Sequence, residues 1–417
     1  MTMETGTKDG GNGIVGEIDI AGFDLMNLPD DYVARAYDYF AALRAASPVH
    51  RNSDGSFLLT RYDDLVTAYR DTSVWSSDKT IDFQPKFGAS SLYEHHTTSL
   101  VFRDPPDHTR IRKLFQAAFT RKALAALTPR IHALVDAYLD RLEDERGMDV
   151  VADFSFRLPV EVVCDMLGVP GEDRGLIRDW ALLILGALEP VLTEQQFKDG
   201  CAAVDGFKAY LRDRIKELKM NPGARREGEI LSALVAAEED GEKLTEIELL
   251  HQCIFMLNAG HETSTNMISH GVHEMLRHPD QIAVLRAAPE TIETLAEEVL
   301  RYQAPIQINN RRALGDTELS GTPIPAGSTV HLMIGAANHD PAQFPEPDTF
   351  DITRRPNRHL SFGLGIHICA GNTLARIEAE IAFGKLFTRF PTIALEEPAK
   401  LSKRIRFREV TELKVAI

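Results

Sequence analysis

A cysteine set at the mouth of a helix constrains this chain more than any other feature. Phe362 to Gly371 read F-G-L-G-I-H-I-C-A-G, and apolar Leu374, Ala375, Ile377, Ile381, Leu386 and Phe387 follow at helical spacing. A thiolate at Cys369 meets unpaired backbone N–H groups and the positive end of the macrodipole, which lower its pKa and favour an anionic sulfur able to bind a soft metal. Gly363, Gly365 and Gly371 permit close approach to a flat ligand. Cys164, Cys201 and Cys253 are far away in sequence, so zinc ribbons, iron–sulfur clusters and a disulfide framework all fit poorly. A single axial thiolate under a haem iron fits well.

The rest of the chain predicts a mainly α protein with small β-sheets (α+β). Short strands at Pro48–Arg51 and Ser56–Thr60 flank an Asp54-Gly55 turn. Helical periodicity dominates from about Asp63 to Arg301, punctuated by Pro105-Pro106, Pro159, Pro170, Pro190, Pro222 and Pro279. Strand character returns over Arg311–Met333. Thr245 with Glu248 forms a capping box opening a long central helix that Pro279 ends, with apolar Ile247, Leu250, Ile254, Leu257, Met267, Ile268, Val272 and Met275. In its middle Ala259-Gly260-His261-Glu262-Thr263-Ser264-Thr265 is a polar interruption, suited either to a helix crossing or to a groove where a small ligand sits beside an acid and an alcohol.

Lys and Arg number 46 against 62 Asp and Glu, a formal charge of -16, which argues against a nucleic-acid or anionic-membrane partner. Met1–Gly16 lacks the pattern of a signal peptide or membrane anchor, so residues 1–20 are predicted to be a disordered segment and 21–417 a single domain in the cytoplasm.

The cysteine run matches F-x-x-G-x-H-x-C-x-G, and the chain thereby resembles the cytochrome P450 superfamily, in its soluble bacterial form. The resemblance runs from about Tyr37 to the C-terminus. It implies the P450 fold, with haem b between the long central helix and the helix after the cysteine loop, and Cys369 as axial ligand beside Phe362 and Gly363. Ala259-Gly260-His261-Glu262-Thr263 resembles A-G-x-[DE]-T, which makes Glu262 and Thr263 the acid and alcohol that order water and deliver protons during oxygen activation. Glu298 and Arg301 resemble E-x-x-R, with Arg354 as third member, bracing the cysteine loop. His108 and Arg112 resemble the family's H-x-x-x-R, and with Arg311 and His359 they are placed at haem propionates; Arg312 remains an alternative to Arg311.

The activity so implied is a haem-thiolate monooxygenase that inserts one atom of O2 into a small or medium hydrophobic substrate by hydroxylation, epoxidation or dealkylation. With no flavin, nicotinamide or iron–sulfur fingerprint in the chain, electrons come from NAD(P)H through a separate ferredoxin and its reductase. Arg110, Lys113, Arg121, Lys122, Arg354, Arg355 and Arg358 are candidates for a basic docking patch. A peroxide-dependent peroxygenase and a haem-binding sensor or carrier are the alternatives, the first disfavoured by the acid–alcohol pair. Candidate pocket residues are Leu257, Ile306, Ile308 and Val410, with Phe83–Leu100 and Leu183–Leu192, and Gln307, Asn309, His95 and His96 as polar contacts.

Overall fold

The structure is a computed structural model that describes residues 18–417 apart from 117–118, 190–191, 225–228, 233–234 and 236–243. The predicted N-terminal disorder, apart from residues 18–20, and the break at Pro190 lie outside the described residues.

The central helix spans Glu246–Arg277, 32 residues, and its capping box forms as the sequence predicts: the Thr245 hydroxyl accepts from the Glu248 N–H and the Glu248 carboxylate accepts from the Thr245 N–H. At 1.5 Å per residue it is about 48 Å long, enough to cross the protein. Leu250, Ile254, Leu257, Ile268, Val272 and Met275 are fully buried, whereas Ile247, in the first turn, is 47% exposed. The helix packs on Arg157–Leu167 and on the helix after the cysteine loop, Asn372–Arg389. Gly271 makes the second contact possible, because a Cβ there would stand 2.1 Å from the Phe383 ring. The backbones of the two helices flanking the cysteine loop's pocket are thus held close at one end.

Helices Arg121–Glu145, Arg174–Gly186, Glu194–Met220 and Ile292–Tyr302 surround this pair. Pro279 opens the next helix at its first position, and Pro159 sits in the first turn of Arg157–Leu167; both are places where the missing N–H costs nothing.

The sheets lie mainly near the two ends of the chain. Val49–Arg51 and Phe57–Leu59 form the hairpin around Asp54-Gly55, with Val49 opposite Leu59. Phe57–Leu59 then runs parallel to Thr329–Met333, which pairs antiparallel with Ile308–Ala313, and that strand pairs with Trp75–Ser76 to complete a five-stranded sheet. Gly147–Asp149 is a strand within the helical stretch that periodicity does not reveal; it pairs with Lys414–Ala416 at the far C-terminus. Lys400–Leu401 and Val410–Glu412 make the C-terminal hairpin, whose connecting residues reach back to the central helix.

Candidate active site

A cavity of about 300 Å³ lies between the central helix and the cysteine loop. Met256, Ala259, Gly260, Thr263 and Met267 line one wall, and Phe362, Gly363, Cys369, Ala370 and Leu374 line another. The lining on the central helix recurs every three or four residues, as one helix face requires.

Two devices hold the cysteine loop. The Cys369 N–H donates to Phe362 O at 2.8 Å, and Gly365 takes a φ of +72° where a Cβ would stand 2.6 Å from Tyr69 O, so no other residue fits. Behind the loop, Glu298 and Arg301 are both wholly buried. Both Glu298 oxygens accept from Arg301 at 2.8 Å, and the carboxylate also accepts from Arg354, from the Asp351 N–H and from Asn357. Arg301 donates onward to the carbonyls of Asn338, Pro347 and Thr349, and the Asn338 side chain ties to Leu360 N–H and Ser361. The three-residue brace inferred from E-x-x-R therefore assembles. It also withdraws Arg354 from the basic patch, and Arg110 is occupied by Glu248 and Asp107. Lys113, Arg121, Lys122, Arg355 and Arg358 remain exposed.

Burial pushes the Cys369 thiol up, opposed by the Gly371 N–H, Arg112 and Arg376. This corrects the expectation that the helix terminus alone makes a thiolate: desolvation outweighs it, and a bound metal ion's charge is what would reverse the balance.

His108, Arg112 and Arg311 converge on the same cavity. Arg112 donates to Ile368 O at 2.6 Å, and Arg311, nearly fully buried, lies over the Tyr69 ring. Arg312 instead pairs with Asp82 at 2.5 Å and does not line this cavity. His359 does not join them. Its Nδ1 accepts from the Ser361 N–H, and its Nε2 lies 3.3 Å from Glu297 but is buried without a hydrogen-bond partner, and the ring does not line the cavity. His367 instead lines the cavity with His108, the two rings tilted against each other with centroids 4.2 Å apart. The signal was present in the sequence, because His367 belongs to the cysteine motif itself.

Burial drives His367 down to about 2 and lowers His108, so both are neutral, and His108 Nδ1 and Nε2 and His367 Nε2 are buried without a partner. Unpaired buried donors beside two arginines are costly unless an anionic group completes them. The carboxylates of a haem, with its iron at Cys369, fit that need. Among the described residues no group of three or more His, Cys, Asp or Glu could hold a metal ion.

Thr263 lines the cavity and donates its hydroxyl to Ala259 O at 2.7 Å. Glu262 is off that wall. Its carboxylate is bound by Arg404, which also holds Glu189 at 2.7 Å and Glu409 at 2.7 Å. Burial, with Glu409 adding to it and Arg404 opposing, raises the Glu262 pKa well above the carboxylate range.

Of the candidate pocket residues, Ile306 lines the cavity. Leu257 does not; it lies outside the lining helix face and packs into the core. Val410 is likewise core, and the hairpin region reaches the cavity through Arg406 and Phe407 instead. Ile308 faces a second, neighbouring cavity. From the two predicted segments, His95, His96, Ser99, Leu100, Leu185 and Leu188 contribute, while 190–191 lie outside the described residues. Glu378, buried and pushed up to about 8 by burial, and Arg406 were missed. The alternation Arg404, Arg406, Arg408 in the C-terminal segment is the sequence signal for the latter.

The family model described as "Cytochrome P450" matches residues 178–407, more than half of the chain. The chain belongs to the cytochrome P450 family. The Biotin biosynthesis cytochrome P450 of Bacillus subtilis is 36% identical over 373 residues, covering 88% of this chain and 92% of the relative. The Vitamin D(3) 25-hydroxylase of Pseudonocardia autotrophica is 37% identical over 361 residues, 85% and 86% of the two chains. Among solved structures, that of P450BioI in complex with hexadec-9Z-enoic acid ligated Acyl Carrier Protein superposes with a TM-score of 0.87 at 34% identity, over 93% of this chain and 99% of that one. The chain is thus a P450 oxidoreductase of a bacterial kind, with the haem and O2 use that membership implies. Among the described residues no helix is long and apolar enough to cross a membrane.

Proposed function

We propose that this P450 is a cytoplasmic monooxygenase of small or medium hydrophobic molecules, acting by hydroxylation, epoxidation or dealkylation, with residues 21–417 as one catalytic unit. One observation carries the reading: a single largely apolar cavity has Cys369 on one wall, Thr263 on the opposite wall, and His108, Arg112, Arg311 and His367 lining it as well. When bound, the haem supplies the iron at which O2 is reduced and one oxygen atom transferred.

The protein's own residues do the rest. Cys369 holds the iron and, as an anion, pushes electron density toward it. His108, Arg112, Arg311 and His367 hold the propionates, and Glu298, Arg301 and Arg354 keep the cysteine loop rigid. Thr263, its proton given to Ala259 O, offers lone pairs to a donor in the cavity, and Glu262 supplies the exchangeable proton. This acid–alcohol pair also favours O2 over peroxide as the oxidant. The relatives' printed names span a vitamin D(3) hydroxylase and a carrier-bound fatty-acid complex, which supports a lipid-like substrate without choosing among them.

Electrons arrive from NAD(P)H through an acidic ferredoxin and its reductase. Ile366 and Ile368 are exposed on the cysteine loop, and Lys113, Arg121, Lys122, Arg355 and Arg358 are exposed cations on the elements around it, an apolar centre with a basic rim.

The test is the ferrous carbon monoxide spectrum. Thiolate ligation gives a strongly red-shifted Soret band, and Cys369→His should abolish it with haem still bound; a histidine-like band in the wild type refutes the reading.

A further inference from the structure

Beside the haem cavity lies a second one of about 570 Å³, lined by the five-stranded sheet, the Lys79–Lys86 segment and the hairpin residues Ile405 and Arg406. Leu188, Asn309 and Arg406 line both, so they form the partition between them. The second cavity differs in character. Lys79, Lys86 and Arg406 are among its walls with Asp54 and Asp82, three cations against two carboxylates in a chain whose net charge is -16.

These cations are not equally satisfied. Lys79 pairs with Asp82 at 3.1 Å, and Asp82 is held again by Arg312. Lys86 donates to the carbonyl of Glu189 and reaches no carboxylate among the described residues. Arg406 makes no side-chain hydrogen bond or ion pair among the described residues, and its Nε is buried without a partner. The nearby carboxylates of Glu189 and Glu262 are already taken by Arg404. Arg406 is half-buried, but its Nε is shut away from water without a partner, which is costly, and the five fixed donors of a guanidinium have one natural complement, a planar anion.

We propose that Arg406, assisted by Lys86, binds the carboxylate of an amphiphilic ligand whose head occupies the second cavity and whose apolar chain passes the Leu188–Asn309 partition into the haem cavity. This rests on the reading of the haem cavity as the substrate site and narrows its substrate class to long-chain carboxylates. The apolar walls beyond the partition, Leu185, Phe255, Met256 and Phe407 among them, suit the chain and offer nothing to the head.

The test compares tetradecanoic acid with tetradecan-1-ol by calorimetry on the haem-loaded protein, a readout that needs neither turnover nor redox partners. The acid should bind at least about tenfold more tightly than the alcohol, and Arg406→Gln should lower acid affinity on the order of 10–100-fold while the alcohol serves as the folding control. Lys86→Gln should show a smaller loss of the same sign. Equal affinity for acid and alcohol in the wild type overturns the proposal, as does an acid preference that survives in both variants. Tetradecyl phosphate distinguishes a general anion site: binding as tight as the acid that is lost in Arg406→Gln supports the guanidinium as the anchor, whereas phosphate binding that ignores the substitution counts against it. Because the carbon monoxide spectrum reads Cys369 alone, failure here and failure of the monooxygenase reading are separately visible.

Discussion

Glu298→Gln separates two regimes that sequence spacing cannot distinguish. An exposed pair at i,i+3 contributes about 0.2–0.5 kcal/mol, because water screens it and two long side chains lose freedom. Here both side chains are wholly buried, and Glu298 receives Arg301 twice, Arg354, a backbone N–H and Asn357. Replacing the carboxylate by an amide turns one acceptor into a donor facing a guanidinium and leaves the buried charge of Arg301 uncompensated. Loss of one partner of a buried pair costs about 3–5 kcal/mol, a large share of the roughly 5–15 kcal/mol that holds a typical protein folded. Urea unfolding of the haem-loaded protein followed by circular dichroism should show that loss at unchanged m-value, with accelerated haem release because Arg301 and Asn338 stand behind the cysteine loop. Lys198→Gln, which breaks an exposed pair with Glu194, is the control and should change stability by no more than about 0.5 kcal/mol. A Glu298→Gln loss no larger than the control's would refute the claim that burial sets the magnitude.

Thr263→Ala should keep haem binding and reduction but divert electrons to hydrogen peroxide; NAD(P)H consumed per product formed measures it, and unchanged coupling counts against a role for the hydroxyl. Glu262→Gln should slow the whole cycle instead, since an amide relays no proton, and equal turnover would remove the acid from the mechanism. Reversing charge at Lys113 and Arg355 should slow electron transfer from ferredoxin at low salt and lose its effect as ionic strength approaches 0.1 M, where screening acts over about 10 Å; stopped-flow reduction rates that do not change exclude this docking face. Although burial opposes it, hydrogen bonding to His359 and Arg376 holds Glu297 at about 2. A depressed carboxylate contributes stability above its unfolded pKa and loses it as pH falls toward the folded value, so the stability gap between wild type and Glu297→Gln should be constant from pH 7 to about 5 and narrow below about 4.5, in urea midpoints measured across that range. A gap independent of pH would show that the pair carries no such linkage.

What was legible in the sequence were features whose physics is local. The capping box at Thr245, the stop at Pro279, the hairpin at Asp54-Gly55 and the cysteine loop each depend on a few adjacent residues, and each forms as read. Long-range pairings were not legible: Gly147–Asp149 becomes a strand only because Lys414–Ala416 arrives beside it, and no periodicity over three residues announces that. The site divides the same way. His108, Arg112 and Arg311 line one cavity, and Glu298, Arg301 and Arg354 bond to one another behind the cysteine loop. His359 stays off the cavity wall, its Nδ1 held by the Ser361 N–H beside Glu297, an orientation that its position relative to Phe362 does not reveal. Leu257 and Val410 failed because apolar residues beside a cavity and apolar residues behind it have the same sequence signature.

The arginines at 404 and 406 show why the hairpin matters to the chemistry although its sequence resembles an ordinary charged surface strand. Arg404 binds carboxylates from three separate places: Glu189 in the loop after helix Arg174–Gly186, Glu262 in the central helix and Glu409 in its own hairpin. Glu262 therefore cannot be treated as an isolated acid. Its raised pKa reflects burial with Glu409 set against the attraction of Arg404, so any movement of Arg404 changes how readily it yields a proton. Glu189 is more exposed than Glu262 and about as exposed as Glu409, and it lies next to Leu188, which bounds the haem cavity. Displacing the loop that carries Glu189 removes one anion from Arg404 and strengthens its hold on the other two, which favours the charged form of Glu262. Glu189 beside the cavity's edge and Glu262 in the central helix share one guanidinium, while Arg406, two residues further on, makes no ion pair among the described residues.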